Sequence, residues 1–244
     1  MLTTAYAFVA HQSSKKDSTD VARPVQQETN MSSFIPYLPA VILGYLIGSL
    51  PFGFLFGKMK GIDVRTLGSG RTGGTNVYRA LGARLGLLTG VLDFVKGAAS
   101  VLLARQLFGN EAAAALAGAA AVAGHNWSIF LGFKGGAGGS TAAGALLMLN
   151  LVAGAIVVPL FVLILFVGRY ASIATLSVGL GSVVMIGLLH WLNPGKTPLN
   201  QWLFAWPALA LIAISLRPNL IRLVDGTERR VDFKQRTAQQ RQAK

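Results

Sequence analysis

The sequence contains no cysteine among its 244 residues and only 9 acidic side chains. The first absence excludes a disulfide scaffold, a thiolate nucleophile and a cysteine-based zinc site. Charged residues of both signs make up 13% of the chain, about half the roughly 25% of an average soluble domain. Apolar residues are abundant instead, 52% of the total with a mean hydropathy of +0.53, which excludes a disordered chain. So few charges cannot cover so large an apolar content in water, and the composition points to a polytopic membrane protein.

The 22 lysines and arginines leave a formal net charge of +13. They are not interleaved with aromatics along one face, as a nucleic-acid footprint would be. Lys58, Lys60, Arg65, Arg71, Arg79 and Arg84 follow the first apolar run, and eight more cations lie between Arg217 and Lys244. Clusters beside apolar runs are what the positive-inside rule predicts for cytoplasmic segments, and no nucleic-acid partner is expected.

Residues 1–30 are polar and of mixed charge, without the basic start, apolar stretch and cleavage site of a signal peptide. They read as a disordered or untranslated tail, with Met31 as an alternative start. The expected membrane unit runs over 31–230, followed by a basic tail at 231–244. Apolar runs predict helices over Pro39–Phe56, Leu85–Leu107, Ala112–Phe130, Ala171–Trp191 and Trp202–Leu216. The 28 uncharged residues from Thr141 to Gly168 are too long for one span and short for two, so a short helix, a turn near Asn150 and a full helix are expected. The fold class is all-α, with about seven transmembrane helices. Placing the C-terminus inside puts sixteen cations on inner segments and five on outer ones, an N-out/C-in orientation. Gly82, Gly86 and Gly90 form a small-residue stripe suited to close helix packing.

Two glycine-rich loops stand out. The first reads Gly68-Ser69-Gly70-Arg71-Thr72-Gly73-Gly74-Thr75-Asn76-Val77-Tyr78-Arg79. It fits G-x-G-x-x-G, but no strand precedes it, so the dinucleotide reading fails. Its glycines would expose backbone N–H groups in an anion-binding nest, with Ser69, Thr75 and Asn76 as neutral donors. Arg71 and Arg79 would supply cations for phosphate. The second loop follows Gly124-His125-Asn126 and reads Phe133-Lys134-Gly135-Gly136-Ala137-Gly138-Gly139-Ser140-Thr141. It feeds a helix N-terminus, a second place for an anion. Asp93 and Lys96 lie three apart on one helix, where intramembrane charges either neutralise each other or serve a site. Arg217 to Glu228 continues the last span, bringing Asn219 toward the loops.

Together with Gly48-Ser49-Leu50-Pro51-Phe52-Gly53, Gly61-Ile62-Asp63-Val64-Arg65, Asp93-x-x-Lys96-Gly97, Phe133-Lys134-Gly135-Gly136 and Arg169-Tyr170, these motifs resemble the bacterial acyl-phosphate:glycerol-3-phosphate acyltransferase family (PlsY), in order, from Pro39 to Arg230. The resemblance implies a multi-pass enzyme of the bacterial inner membrane with its active site on the cytoplasmic side. It would move an acyl chain from acyl phosphate to the 1-hydroxyl of sn-glycerol 3-phosphate, giving lysophosphatidic acid and phosphate in phospholipid synthesis. No metal or other cofactor is implied. The expected partners are acyl phosphate, sn-glycerol 3-phosphate, membrane lipid and a peripheral acyl-carrier-protein:phosphate acyltransferase.

The same resemblance assigns Ser69, Lys96, His125 and Asn219 to catalysis. The loop chemistry and the resemblance together give Gly68, Gly70, Arg71, Thr75, Asn76, Arg79, Lys134, Gly135, Gly136 and Thr175 as expected substrate- and phosphate-binding residues. Arg71 stands where the family usually has Asn, Ala137 where it has a second Lys, Thr175 where it has Ser and Leu216 where it has His. The expectation is that Arg71 supplies the cation that Ala137 lacks. The alternative reading is a catalytically impaired paralogue that binds phosphate-bearing lipid and regulates a partner.

Overall fold

The computed structural model describes residues 35–195 and 197–233. The tail expected over 1–30 and residues 234–244 of the basic tail lie outside the described residues. Among the described residues the regular structure is entirely helical: α1 (Leu38–Gly48), α2 (Phe52–Met59), α3 (Gly74–Leu81), α4 (Ala83–Phe108), α5 (Glu111–Asn126), α6 (Gly139–Leu149), α7 (Leu151–Leu163), α8 (Ala171–Leu192) and α9 (Trp202–Val224). A π-helical turn, Ile164–Gly168, prolongs α7.

The apolar run expected as one helix over Pro39–Phe56 is two, α1 and α2. Pro51 has no backbone N–H and keeps Leu50 out of helical geometry, so the helix breaks there. The run expected to end at Leu216 instead continues to Val224 with Pro207 and Pro218 inside it. The loss of one backbone donor at Pro218 does not stop the helix; nearly one turn N-terminal to it, the carbonyl of Ser215 accepts from the Arg71 guanidinium. The turn expected near Asn150 is present. Asn150 accepts from the Ala153 N–H at 3.0 Å, capping α7, and donates to Gln201 Oε1 at 3.0 Å.

Six of the described segments are long and apolar enough to cross a membrane: Leu38–Met59, Ala83–Phe108, Glu111–Leu131, Leu151–Gly168, Ala171–Leu192 and Leu199–Val224. The shorter α6 has 11 residues and rises about 16 Å at 1.5 Å per residue. It still runs from one end of the bundle to the other. Gly139 at its start lies against Thr175 near the start of α8. At its end, Arg105 of α4 donates to the Met148 carbonyl, and Gln201 before α9 donates to the Leu149 carbonyl.

Alanine-rich α5 is the central helix, buried along nearly its whole length. Its neighbours approach closer than a side chain allows. A Cβ on Gly44 or Gly48 of α1 would lie 2.2 or 2.1 Å from the carbonyl oxygens of Ala117 and Ala121. On Gly97 of α4 or Gly144 of α6 it would lie 2.0 Å from the oxygens of Thr141 and Phe94. Lipid tails are as apolar as leucine, so bundle stability rests on this close packing rather than on removing apolar surface from water. Of the predicted small-residue stripe, Gly86 packs this way, against the Tyr78 backbone, while a Cβ on Gly90 would meet open space. Gly82 acts differently, because at φ +93° it is the hinge between α3 and α4. Large apolar side chains left exposed, such as Leu151, Leu163, Val167 and Val184, form the lipid-facing surface.

Gly97→Val is expected to cost about 1–3 kcal/mol by overpacking, lowering the melting temperature in detergent by about 5 °C. Gly90→Ala, whose Cβ meets nothing within 4 Å, should leave it unchanged.

Candidate active site

The first loop is shaped by its own side chains. Asp63 caps the turn Val64–Thr66 by accepting from the Arg65 N–H at 3.0 Å. The Arg65 guanidinium, paired at 2.8 Å, holds the Asp63 carboxyl down at about 2. Gly68 and Gly70 take positive φ values of +57° and +71°, which suit a residue without a Cβ. Buried Asn76 then ties the loop together. Its Oδ1 accepts from the Ser69 N–H at 2.9 Å, and its Nδ2 donates to the carbonyls of Val64, Leu67 and Arg71. The Asn76 amide is thus used inside the loop, so it positions the donors around it instead of offering one to a ligand. The hydroxyls of Ser69 and Thr75 line the cleft without a hydrogen-bond partner among the described residues.

The second loop folds back onto the end of α5. The Gly136 N–H donates to the His125 carbonyl at 2.9 Å, and the Thr72 N–H of the first loop donates to the Gly135 carbonyl at 3.4 Å. His125 is caught between the two loops. A Cβ on Gly136 would lie 2.0 Å from His125 Nε2, and one on Gly73 would lie 3.9 Å from it. On its other edge, His125 Nδ1 is 3.4 Å from Asp93 Oδ1. Asp93 is also paired with Lys96 at 2.9 Å. Lys96 reaches the Leu50 carbonyl at 3.0 Å, in the break between α1 and α2.

Arg71 crosses from the first loop to the second. Its guanidinium donates to the Gly136 carbonyl at 3.4 Å, to Ser215 Oγ at 3.0 Å, to the Ser215 carbonyl and to Asn219 Oδ1 at 2.8 Å. Asn219 Nδ2 donates onward to Glu228 at 2.8 Å, and Glu228 also accepts from Ser172 and Arg222. Most Arg71 donors are therefore occupied, and its contribution is charge delivered beside Ala137 more than a free fork for phosphate. Burial pushes the Arg71 basicity down and the Arg222 cation pushes the same way, against the pull of Glu228. Arg79 is lowered likewise, first by burial and then by Arg229, again opposed by Glu228.

These groups surround a cleft of about 820 Å³. Of the residues expected at the site, Gly68, Ser69, Arg71, Thr75, Asn76, Arg79, His125, Thr175 and Asn219 line it. Gly70 and Gly135 form loop backbone behind its wall, and Gly136 supports it through His125. Lys96 is buried behind Asp93 and does not reach the cleft. Lys134 is exposed and points its charge elsewhere. It follows Phe133, whose φ of +60° turns the chain outward.

Several groups at the cleft are harder to find from sequence. Asp93 is marked only by its spacing from Lys96. Glu228 lies inside a motif whose composition gives it no role. Neither Phe233 nor the Arg71 partner Ser215 carries a local signal. The apolar walls come from Leu87, Val91 and Phe94 of α4 and Val158, Phe161 and Val162 of α7. The cleft therefore joins a cationic, glycine-lined end to an apolar end between membrane helices. Gly136→Ala is expected to displace the imidazole and slow turnover at least about 100-fold. An unaffected rate would mean that His125 has no part in turnover.

A family model described as glycerol-3-phosphate acyltransferase matches residues 38–226. The glycerol-3-phosphate acyltransferase of Trichlorobacter lovleyi is 40% identical over 185 residues, covering 75% of this chain and 92% of that one. That of Chlorobaculum tepidum is 33% identical over 227 residues, covering 82% and 98%. The crystal structure of PlsY, an integral membrane glycerol 3-phosphate acyltransferase, in its glycerol 3-phosphate form superposes with a TM-score of 0.71 at 36% identity, covering 80% of this chain and 96% of that one. Its lysophosphatidic acid form gives 0.69 at 35% identity, covering 81% and 96%. With the match spanning all nine described helices and both loops, the chain belongs to the glycerol-3-phosphate acyltransferase family.

Proposed function

We propose that this protein transfers an acyl chain from acyl phosphate to the 1-hydroxyl of sn-glycerol 3-phosphate at the cleft between its glycine loops. The observation that carries the reading is the union, in one cleft, of a cationic end and apolar walls supplied by α4 and α7. Among the described residues four guanidinium groups, those of Arg71, Arg79, Arg222 and Arg229, face it against the carboxylate of Glu228, while Asp93 is matched by Lys96. Both substrates are phosphate dianions or close to it, and one carries a chain soluble only in lipid.

In the proposed reaction the hydroxyl oxygen bonds to the acyl carbon and the bond from that carbon to the phosphate oxygen breaks. Phosphate departs with the electron pair, and His125 Nε2 takes the hydroxyl proton. Asp93 sets the orientation of the ring from Nδ1 and opposes the charge that develops on it, much as a carboxylate steadies a histidine in other acyl transfers. Lys96 pairs with Asp93 at 2.9 Å and so balances its charge in the buried setting. Arg79 and the loop N–H groups stabilise phosphate charge, and Ser69, Thr75 and Thr175 supply neutral donors. Because acyl phosphate is already activated, alignment of the two reactants accounts for much of the rate.

The same reading places the protein in the bacterial inner membrane, N-out and C-in, with α6 counted as a seventh crossing and the cleft facing the cytoplasm. The support is the charge asymmetry and the end-to-end course of α6. A peripheral acyl-carrier-protein:phosphate acyltransferase would supply the donor.

Purified protein in lipid should release phosphate from palmitoyl phosphate only with sn-glycerol 3-phosphate present, forming lysophosphatidate. Failure beside an active relative in the same preparation would leave the impaired-paralogue reading, and equal turnover of palmitoyl thioesters would overturn the donor assignment. His125→Gln is expected to lower kcat about 10²- to 10⁴-fold. Arg71→Ala should nearly abolish turnover, and Arg71→Asn combined with Ala137→Lys should restore it. Normal turnover by Arg71→Ala would refute the relocation of charge between loops.

A further inference from the structure

The family match ends at residue 226, but the cleft does not. Beyond α9 the chain turns at Gly226, with φ +69°, and Glu228, Arg229, Val231 and Phe233 all line the cleft. At the root of this strap, Glu228 is held by Ser172, Asn219 and Arg222. Midway, the Arg229 guanidinium donates to the Gly68 carbonyl, and Arg79 reaches the carbonyls of Arg229 and Arg230 at 3.4 and 3.5 Å. Val231 is buried, its N–H bonded to the Arg169 carbonyl at 2.6 Å. At the tip, the Phe233 ring stacks on Phe166 at 4.8 Å and meets Tyr78 edge-on at 5.6 Å.

Those last two contacts join opposite sides of the cleft. Tyr78 belongs to α3, which lies along α4, and Phe166 to the π-helical turn that ends α7. The aromatic stack therefore closes the mouth between the two helices that supply the apolar walls. Closure matters chemically, because acyl phosphate reacts with water as well as with an alcohol, and a site that favours the alcohol must exclude water.

We propose that residues 227–233 are the water-excluding wall of the acyl-transfer cleft, with Phe233 the positioning residue that holds it shut. The inference rests on the acyl-phosphate reading above. With the wall open, a water oxygen bonds to the acyl carbon in place of the glycerol oxygen. The bond to phosphate breaks, phosphate leaves, and the water proton passes to solvent, giving free fatty acid and phosphate without lysophosphatidate.

The test measures phosphate and lysophosphatidate together, from palmitoyl phosphate with saturating sn-glycerol 3-phosphate in lipid. The unaltered protein should give a ratio near one. Phe233→Ala should raise the ratio of phosphate to lysophosphatidate about fivefold or more, and Phe233→Tyr, which keeps the ring, should hold it near one. Phe166→Ala, which removes the other face of the stack, should behave as Phe233→Ala does. A ratio near one in both alanine variants overturns the proposal. So does loss of both products in both variants with normal size-exclusion behaviour, because an opened cleft still meets water. If the unaltered protein itself makes no lysophosphatidate, the acyl-phosphate reading falls first, separately from any effect of Phe233.

Discussion

A lysine ammonium inside a membrane helix is the constraint around which this molecule is arranged. A charge at that depth costs several kcal/mol unless it is paired and hydrogen-bonded. Lys96 has both compensations, Asp93 at 2.9 Å and the Leu50 carbonyl at 3.0 Å, and lies near the Phe52 ring. The carbonyl is available only because Pro51 breaks the first membrane segment in two. The break in α1–α2, the helix carrying Asp93 and the end of α5 carrying His125 are thus held by one charge cluster. Removing Lys96 would leave a buried carboxylate beside the imidazole, so truncating that residue disturbs the structure around His125.

Glycine supplies the second layer of order, through proximity. The backbone contacts of Gly97 with Thr141 and of Gly124 with Tyr45 hold α4 against α6 and α5 against α1, and both loops meet over His125. Gly135 and Gly136 repeat the device within the site, where a Cβ would strike the His125 carbonyl or its ring. The same residue type therefore packs the bundle and clears the space around the imidazole, and its loss at either place has different consequences.

Much of this is legible in the chain. The helices, the turn at Asn150 and both loops follow from apolar run length, asparagine and glycine placement, all local signals. The break at Pro51 is equally local, but the continuous hydropathy of Pro39–Phe56 masks it. Tertiary facts are less accessible. Asp93 and His125 are 32 residues apart, and nothing local says that they meet. Lys134 sits beside two glycines of the site yet faces away, since composition does not record which way a loop turns. Asn76 has the chemistry of a ligand donor, but its partners are carbonyls of its own loop.

The electrostatics of the cleft favour an anionic ligand. Arg71 and Arg79 are both partly desolvated, and each faces a second cation, Arg222 or Arg229, with Glu228 as the shared counterion. Glu228 accepts from three donors and pairs with Arg222 at 3.0 Å, so its single charge offsets only part of the cluster. Like charges held close in a poorly solvated space are a standing cost in the empty protein. A neutral ligand would leave that cost in place, and a monoanion would relieve part of it. A phosphate dianion relieves most of it, so the discrimination lies in the strain of the unliganded site as much as in any contact the ligand makes.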